Sequence, residues 1–170
     1  MKSFAFIILT LLTLAASGQE DKSKRPSPPA TAKETLNSGV NVLIDYSQPA
    51  VKGRTIGKDL EPSGGKVWRT GANEATVFEV DKDVKIDGKS LPAGKYGLFS
   101  IMNGDEWTII FNKTWNQWGA FDYKETDDAL RVKVKSGKAG KFSERMTFTV
   151  AKDGKVSLWW GDIQVGFIVK

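Results

Sequence analysis

The chain has 170 residues, 40% of them hydrophobic and 26% charged, with a formal net charge of +5, the make-up of one soluble globular domain plus its ends. It contains neither cysteine nor histidine, which excludes disulfides, thiolate or imidazole metal sites, cysteine nucleophiles and the Ser-His-Asp triad, and leaves chemistry to carboxylates, Lys, Arg, Tyr, Ser and Thr. No run of five or more like charges occurs, so the positive surplus reads as solubility, with no nucleic-acid footprint.

In chain order, Met1 and Lys2 supply an initial positive charge, residues 4–14 are apolar apart from Thr10 and Thr13, and Ala15, Ala16, Ser17 and Gly18 follow. That order predicts a secretory signal peptide over residues 1–18, and hence export to the periplasm or beyond the cell. The apolar stretch is short for a membrane span, so no transmembrane segment is expected after cleavage, and without a lipoprotein cysteine the mature protein is expected to be released, not tethered by lipid. Residues 19–36 are polar and proline-rich and lack hydrophobic period. They are expected to form a flexible leader, because such a stretch buries too little surface to offset its ordering entropy.

Residues 37–170 are expected to form one all-β domain. Apolar side chains alternate with polar ones at Val40, Val42 and Ile44, at Thr76, Phe78 and Val80, and at Val84 and Ile86. Asp87-Gly88 is a two-residue hairpin signal. Further alternating runs surround Tyr96 and Leu98, then Trp107, Ile109 and Phe111, then Leu130, Val132 and Val134, then Met146, Phe148 and Val150. Val156, Leu158 and Trp160 follow the turn pair Asp153-Gly154, and Val165, Phe167 and Val169 end the chain. About eight or nine short strands joined by tight turns predict a single antiparallel β-sandwich, with a closed β-barrel as the alternative. One helical turn fits over residues 127–131.

Three stretches depart from simple alternation. Residues 66–76 gather Trp68, Arg69, Asn73 and Glu74, a set able to stack on and hydrogen-bond a polar ligand. An Arg69–Glu74 ion pair pinning a loop to the sheet fits the same residues. Residues 114–123 place Trp115, Trp118, Phe121 and Tyr123 among Asn116, Gln117 and Asp122, as sugar-binding loops do, although such residues also roof a sandwich core. Trp159 and Trp160 are adjacent in a strand, so one must face the core and the other must not.

No phosphate-cradling glycine loop and no nucleophile elbow is present, and Asp81-Lys82-Asp83 fails as a calcium loop at Lys85, so neither a cofactor nor a metal is expected. Catalytic residues are not identifiable, and enzymatic function is disfavoured by the missing imidazole.

The stretches YSQPAVKGR (46–54), KVWRTGANEAT (66–76), LPAGKYGLF (91–99), EWTIIFN (106–112) and QWGAF (117–121) resemble, as an ordered set, the bacterial exported family of unknown function DUF2911, common among Bacteroidota-type bacteria. The resemblance covers about residues 40–170 and implies an exported β-rich domain without assigned activity. From the residues themselves, the first expectation is a non-catalytic module binding a glycan or another small polar ligand through Trp68, Trp115, Trp118 and one of Trp159 and Trp160, with Arg69, Asn73, Glu74 and Gln117 as polar partners. A carboxylate-dependent hydrolase using Glu74, and docking of an envelope protein partner, are the alternatives.

Overall fold

A computed structural model describes residues 21–170; the expected signal peptide lies outside the described residues. Among the described residues eleven strands run β1 (Pro29–Thr35), β2 (Asn41–Ser47), β3 (Val67–Trp68), β4 (Thr76–Val80), β5 (Val84–Ile86), β6 (Lys89–Leu91), β7 (Gly94–Asn103), β8 (Glu106–Asn112), β9 (Asp128–Lys135), β10 (Gly137–Val150) and β11 (Lys155–Ile168). The large antiparallel sheet has the order β1-β2-β4-β7-β8-β9. The second layer is the long β10–β11 hairpin. The short β5–β6 hairpin joins the end of the chain through an Ile86–Val169 bridge. The sheets are not closed on one another, so the fold is the expected sandwich and not a barrel.

Alternation explains the layering. Val42, Ile44, Phe78, Leu98, Ile109, Phe111 and Val132 project from one face of the large sheet into the core, where Met146, Phe148, Leu158, Trp160 and Phe167 meet them from the hairpin. Three rings from both layers interlock: Phe111 lies 5.0 Å from Phe78 and 5.5 Å from Phe167, centre to centre and edge to face, the arrangement ring quadrupoles favour. The backbone N–H of Phe148 donates to the Tyr46 hydroxyl at 3.1 Å, tying the layers a second time.

Two expectations need correction. Residues 29–35, assigned to a flexible leader, form edge strand β1, with Ala30 opposite Tyr46 and Ala32 opposite Ile44. Its inward positions carry Ala30, Ala32 and Glu34, two side chains too small and one too polar to leave a hydrophobic signature, and Pro29 is tolerated as the first residue of an edge strand. The runs around Val156 and Phe167 belong to one bent strand, not two. Fourteen extended residues span roughly 45 Å, yet the Val169 N–H donates to the Gly154 carbonyl at 2.9 Å. The end of β11 therefore returns beside its start, and Gly161, with φ 59°, lies within that reversal. The close approach needs glycine: a Cβ on Gly166 would stand 2.2 Å from the Val156 carbonyl oxygen.

β3 and β4 share one edge of β7. β4 pairs with residues 94–98 and β3 with Ser100 and Ile101. They behave as one strand from which residues 69–75 leave as an excursion. The helical turn expected at 127–131 is instead a 3-10 turn at Glu125–Asp127, followed directly by β9.

Candidate functional site

The excursion of residues 69–75 is held shut by its own polar groups. The Trp68 indole N–H donates to the Gly71 carbonyl at 3.0 Å, the Thr76 hydroxyl to the Thr70 carbonyl at 2.8 Å, and the Thr70 hydroxyl to Ser100 at 3.0 Å. Thr70 and Asn73 both adopt left-handed backbone, φ 49° and 59°, a strained state that the surrounding bonds maintain. Trp68 is 3% exposed and belongs to the main core, so it is withdrawn from the expected ligand surface.

The two flagged segments come together. The Ala75 N–H donates to the Gln117 carbonyl at 3.0 Å and the Gly119 N–H to the Asn73 carbonyl at 3.1 Å, an antiparallel bridge that sets Glu74 opposite Trp118. Paired residues project to the same side. The Arg69 guanidinium donates to that same Asn73 carbonyl at 2.7 Å. Gly119 has φ 66°, which favours glycine, and a Cβ there would come 3.2 Å from the Arg69 guanidinium carbon, a tight contact that Arg69 would have to yield to. Burial lowers the pKa of Arg69, partly offset by the charge of Glu61. Gln117 is buried; its amide donates to the Thr114 carbonyl at 2.6 Å and its side-chain oxygen is left without a partner.

The expected Arg69–Glu74 ion pair does not form. Glu74 instead receives Lys22 Nζ at 2.9 Å and Arg25 Nη1 at 3.0 Å to each carboxylate oxygen. The Arg25 guanidinium carbon stands 5.9 Å from the centre of the Trp118 ring, within cation–π range. Asn73 Nδ2 donates to the Ser27 carbonyl at 3.0 Å. Two of the polar residues predicted to hold a ligand, Glu74 and Asn73, are thus engaged by the segment preceding β1, while Arg69 and Gln117 bond within the two loops. No local pattern announces this, because the partners lie about fifty positions away in sequence.

Glu74 and Asp45 line a cleft of about 160 Å³ together with Lys22, Pro29 and Val77. This supplies part of the geometry of the hydrolase alternative, but not its protonation. Partial burial pushes the Glu74 carboxyl up, and the hydrogen bonds and charge of Lys22 with the hydrogen bond of Arg25 outweigh it, taking the pKa to about 2. A carboxylate held that low neither donates a proton near neutral pH nor accepts one efficiently. Because the folded pKa lies below the ordinary 4.5, the stabilisation is complete above that value and is lost as pH falls through about 2. With Glu74 partly exposed it amounts to about 1 kcal/mol or less. In NMR titration the Trp118 indole resonance is expected to stay fixed until pH drops below about 4, then to move. Glu74→Gln is expected to give the moved position at every pH; a pH-independent resonance that is the same in both proteins contradicts this coupling.

The 113–124 loop lies on the outer face of the large sheet, where Ala75, Phe99 and Ile110 form a second small core joined by Ala120 and Tyr123. The Tyr123 ring lies 5.0 Å from Phe99. Trp115, Trp118 and Phe121 on this loop are 39%, 51% and 80% exposed, and Lys95 Nζ lies 5.6 Å from the Trp115 ring centre. Phe121 belongs to the set although it was not singled out as a ligand residue. Among the described residues Asn116 and Asp122 make no side-chain hydrogen bond or ion pair. Trp160 is the indole that enters the core, donating to the Glu61 carbonyl at 3.0 Å. Trp159 takes the opposite face, on the hairpin layer, bonded to Thr149 at 3.4 Å, away from the loop on the large sheet; the three flagged stretches do not form one surface. No helix among the described residues is long and apolar enough to cross a membrane.

Residues 27–169 match the family described as protein of unknown function (DUF2911). No curated protein and no solved structure matches the chain.

Proposed function

The chain belongs to the DUF2911 family, and from that premise we propose that it is an exported, non-catalytic binding module that takes glycans on the Trp115–Trp118–Phe121 surface. One observation carries the reading: three large aromatic side chains are held out in solvent by a loop that is itself firmly bonded. Exposed rings on a mobile loop would collapse onto the nearest apolar face; here the loop's own small core is already filled by Phe99, Ile110 and Tyr123. Rigid exposed rings suit the apolar faces of sugars, and the unengaged side chains of Asn116 and Asp122 supply donors and acceptors for hydroxyl groups. The polar partners therefore shift from Arg69, Asn73, Glu74 and Gln117, which are spent internally, to the loop.

Fluorescence titration with soluble β-linked oligosaccharides of glucose, xylose and N-acetylglucosamine tests this. At least one is expected to give a saturable change in tryptophan emission, with the dissociation constant raised about tenfold in Trp118→Ala, as the loss of one stacking ring predicts. No response from any of the three sugars removes the reading.

A further inference from the structure

We infer that Glu74, Trp118 and Asn73 form a recognition site for a basic peptide whose lysine and arginine, three residues apart, are brought to one side by a single 3-10 turn, and that the chain's own residues 22–27 occupy this site in cis. The Lys22 ammonium and the Arg25 guanidinium meet on a single carboxylate. Arg25 lies between that carboxylate and the face of Trp118. The pairing of a carboxylate with an indole face selects a cation, and a planar guanidinium best of all.

The remaining contacts read backbone. Asn73 Nδ2 binds the Ser27 carbonyl at 3.0 Å, Arg145 Nη1 the Pro26 carbonyl at 3.3 Å, and the Gln48 N–H the Pro28 carbonyl at 2.9 Å. None of these three contacts depends on the identity of the arm's side chains. Another segment that turns once between the same two cations therefore satisfies them equally, and Pro26 and Pro28 keep the part after the turn extended before it binds.

The two sides of the contact differ in rigidity. Glu74 and Trp118 are fixed by the backbone bridge between residues 73–75 and 117–119. Among the described residues, the arm before Ser27 holds one 3-10 turn at Lys22–Lys24, which has no buried residue. The family match begins at Ser27, so the site lies within the matched domain and its two cations lie before it. The arm is held by one exposed ion pair, Lys22–Glu74, and one partly buried pair, Arg25–Glu74, and its tether gives it an effective concentration in the millimolar range. Occupancy in cis thus lowers the affinity for a peptide in trans, and removal of the two cations opens the site.

This inference shares Trp118 with the glycan reading but does not rest on it. The test uses a fluorescein-labelled peptide with the sequence of residues 21–28, followed by anisotropy against the full chain. The double variant Lys22→Ala/Arg25→Ala is expected to bind it saturably and at least about tenfold more tightly than the unaltered protein. Adding Glu74→Gln to that variant is expected to abolish binding, and a peptide with its lysines and arginine replaced by alanine is expected not to bind. Absence of saturable binding to the double variant, or binding that survives Glu74→Gln, overturns the proposal. The two readings fail separately, because the sugar titration is read on the unaltered protein and on Trp118→Ala, and the peptide titration on the double variant and its Glu74→Gln derivative.

Discussion

Phe111→Ala is expected to destabilise the protein by about 3–5 kcal/mol, the usual cost of emptying a buried aromatic site. Phe111 is fully buried on β8 and its ring meets Phe78 of the same sheet, Phe167 of the facing hairpin, and Tyr96 at 6.5 Å. The void left by truncation borders rings from both layers, and none of them can fill it without abandoning another neighbour. For a domain of this size the midpoint of thermal unfolding should fall by roughly 10 °C or more. Circular dichroism melts of the two proteins measure it. A loss under about 1 kcal/mol would mean that the two layers do not depend on this ring cluster. The position also bears on function, since the next residue, Asn112, anchors the start of the aromatic loop.

How far sequence reasoning reached depends on side-chain size and on the distance between partners. β2, β4, β7 and β8 were legible because their inward positions carry Val42, Ile44, Phe78, Leu98, Ile109 and Phe111, large residues at period two. β1 was not, because Ala30 and Ala32 make the same alternation with almost no amplitude. Trp68 was misplaced for a related reason: a two-residue strand has no period to read, and only its pairing with Ser100 shows that its ring faces inward. The excursion at 69–75 and the loop at 114–123 were correctly marked as irregular, and the structure zips them together through Asn73, Ala75, Gln117 and Gly119. Their electrostatic partners were invisible, because Glu74 chose Lys22 and Arg25 over the nearby Arg69. The nearby choice fails geometrically: Arg69 is turned toward the Asn73 carbonyl and Gly119, while Glu74 faces outward beside Trp118. The basic residues of the proline-rich leader were the available signal, and compositional disorder masked it.

Replacing Asp128 by alanine is expected to cost about 2–3 kcal/mol and to loosen the aromatic loop, because one carboxylate holds both of its ends. The Asp128 side chain is 7% exposed. It accepts from Arg131 Nε at 2.6 Å, the Tyr123 hydroxyl at 2.7 Å and Asn112 Nδ2 at 2.8 Å. Asn112 in turn donates to the Lys124 carbonyl at 2.9 Å and accepts the Thr114 N–H at 2.9 Å. Arg131 also reaches Glu125 at 3.1 Å. Residues just before and just after the exposed rings are thus clamped through a single group. Tyr123 reports on it: burial first, and then its hydrogen bond to Asp128, push the phenol up to about 12 against the opposing Arg131. Without the carboxylate only burial raises it and Arg131 still lowers it, so the phenolate should form at distinctly lower pH in Asp128→Ala, read by ultraviolet absorbance. Iodide quenching of Trp115 and Trp118 should rise in the same variant, and any oligosaccharide affinity should fall although no ring has been removed, since a surface that must be ordered on binding loses the advantage of being ordered beforehand. Unchanged phenol titration together with unchanged quenching would mean that the loop is held by its apolar contacts to Phe99 and Ile110 alone.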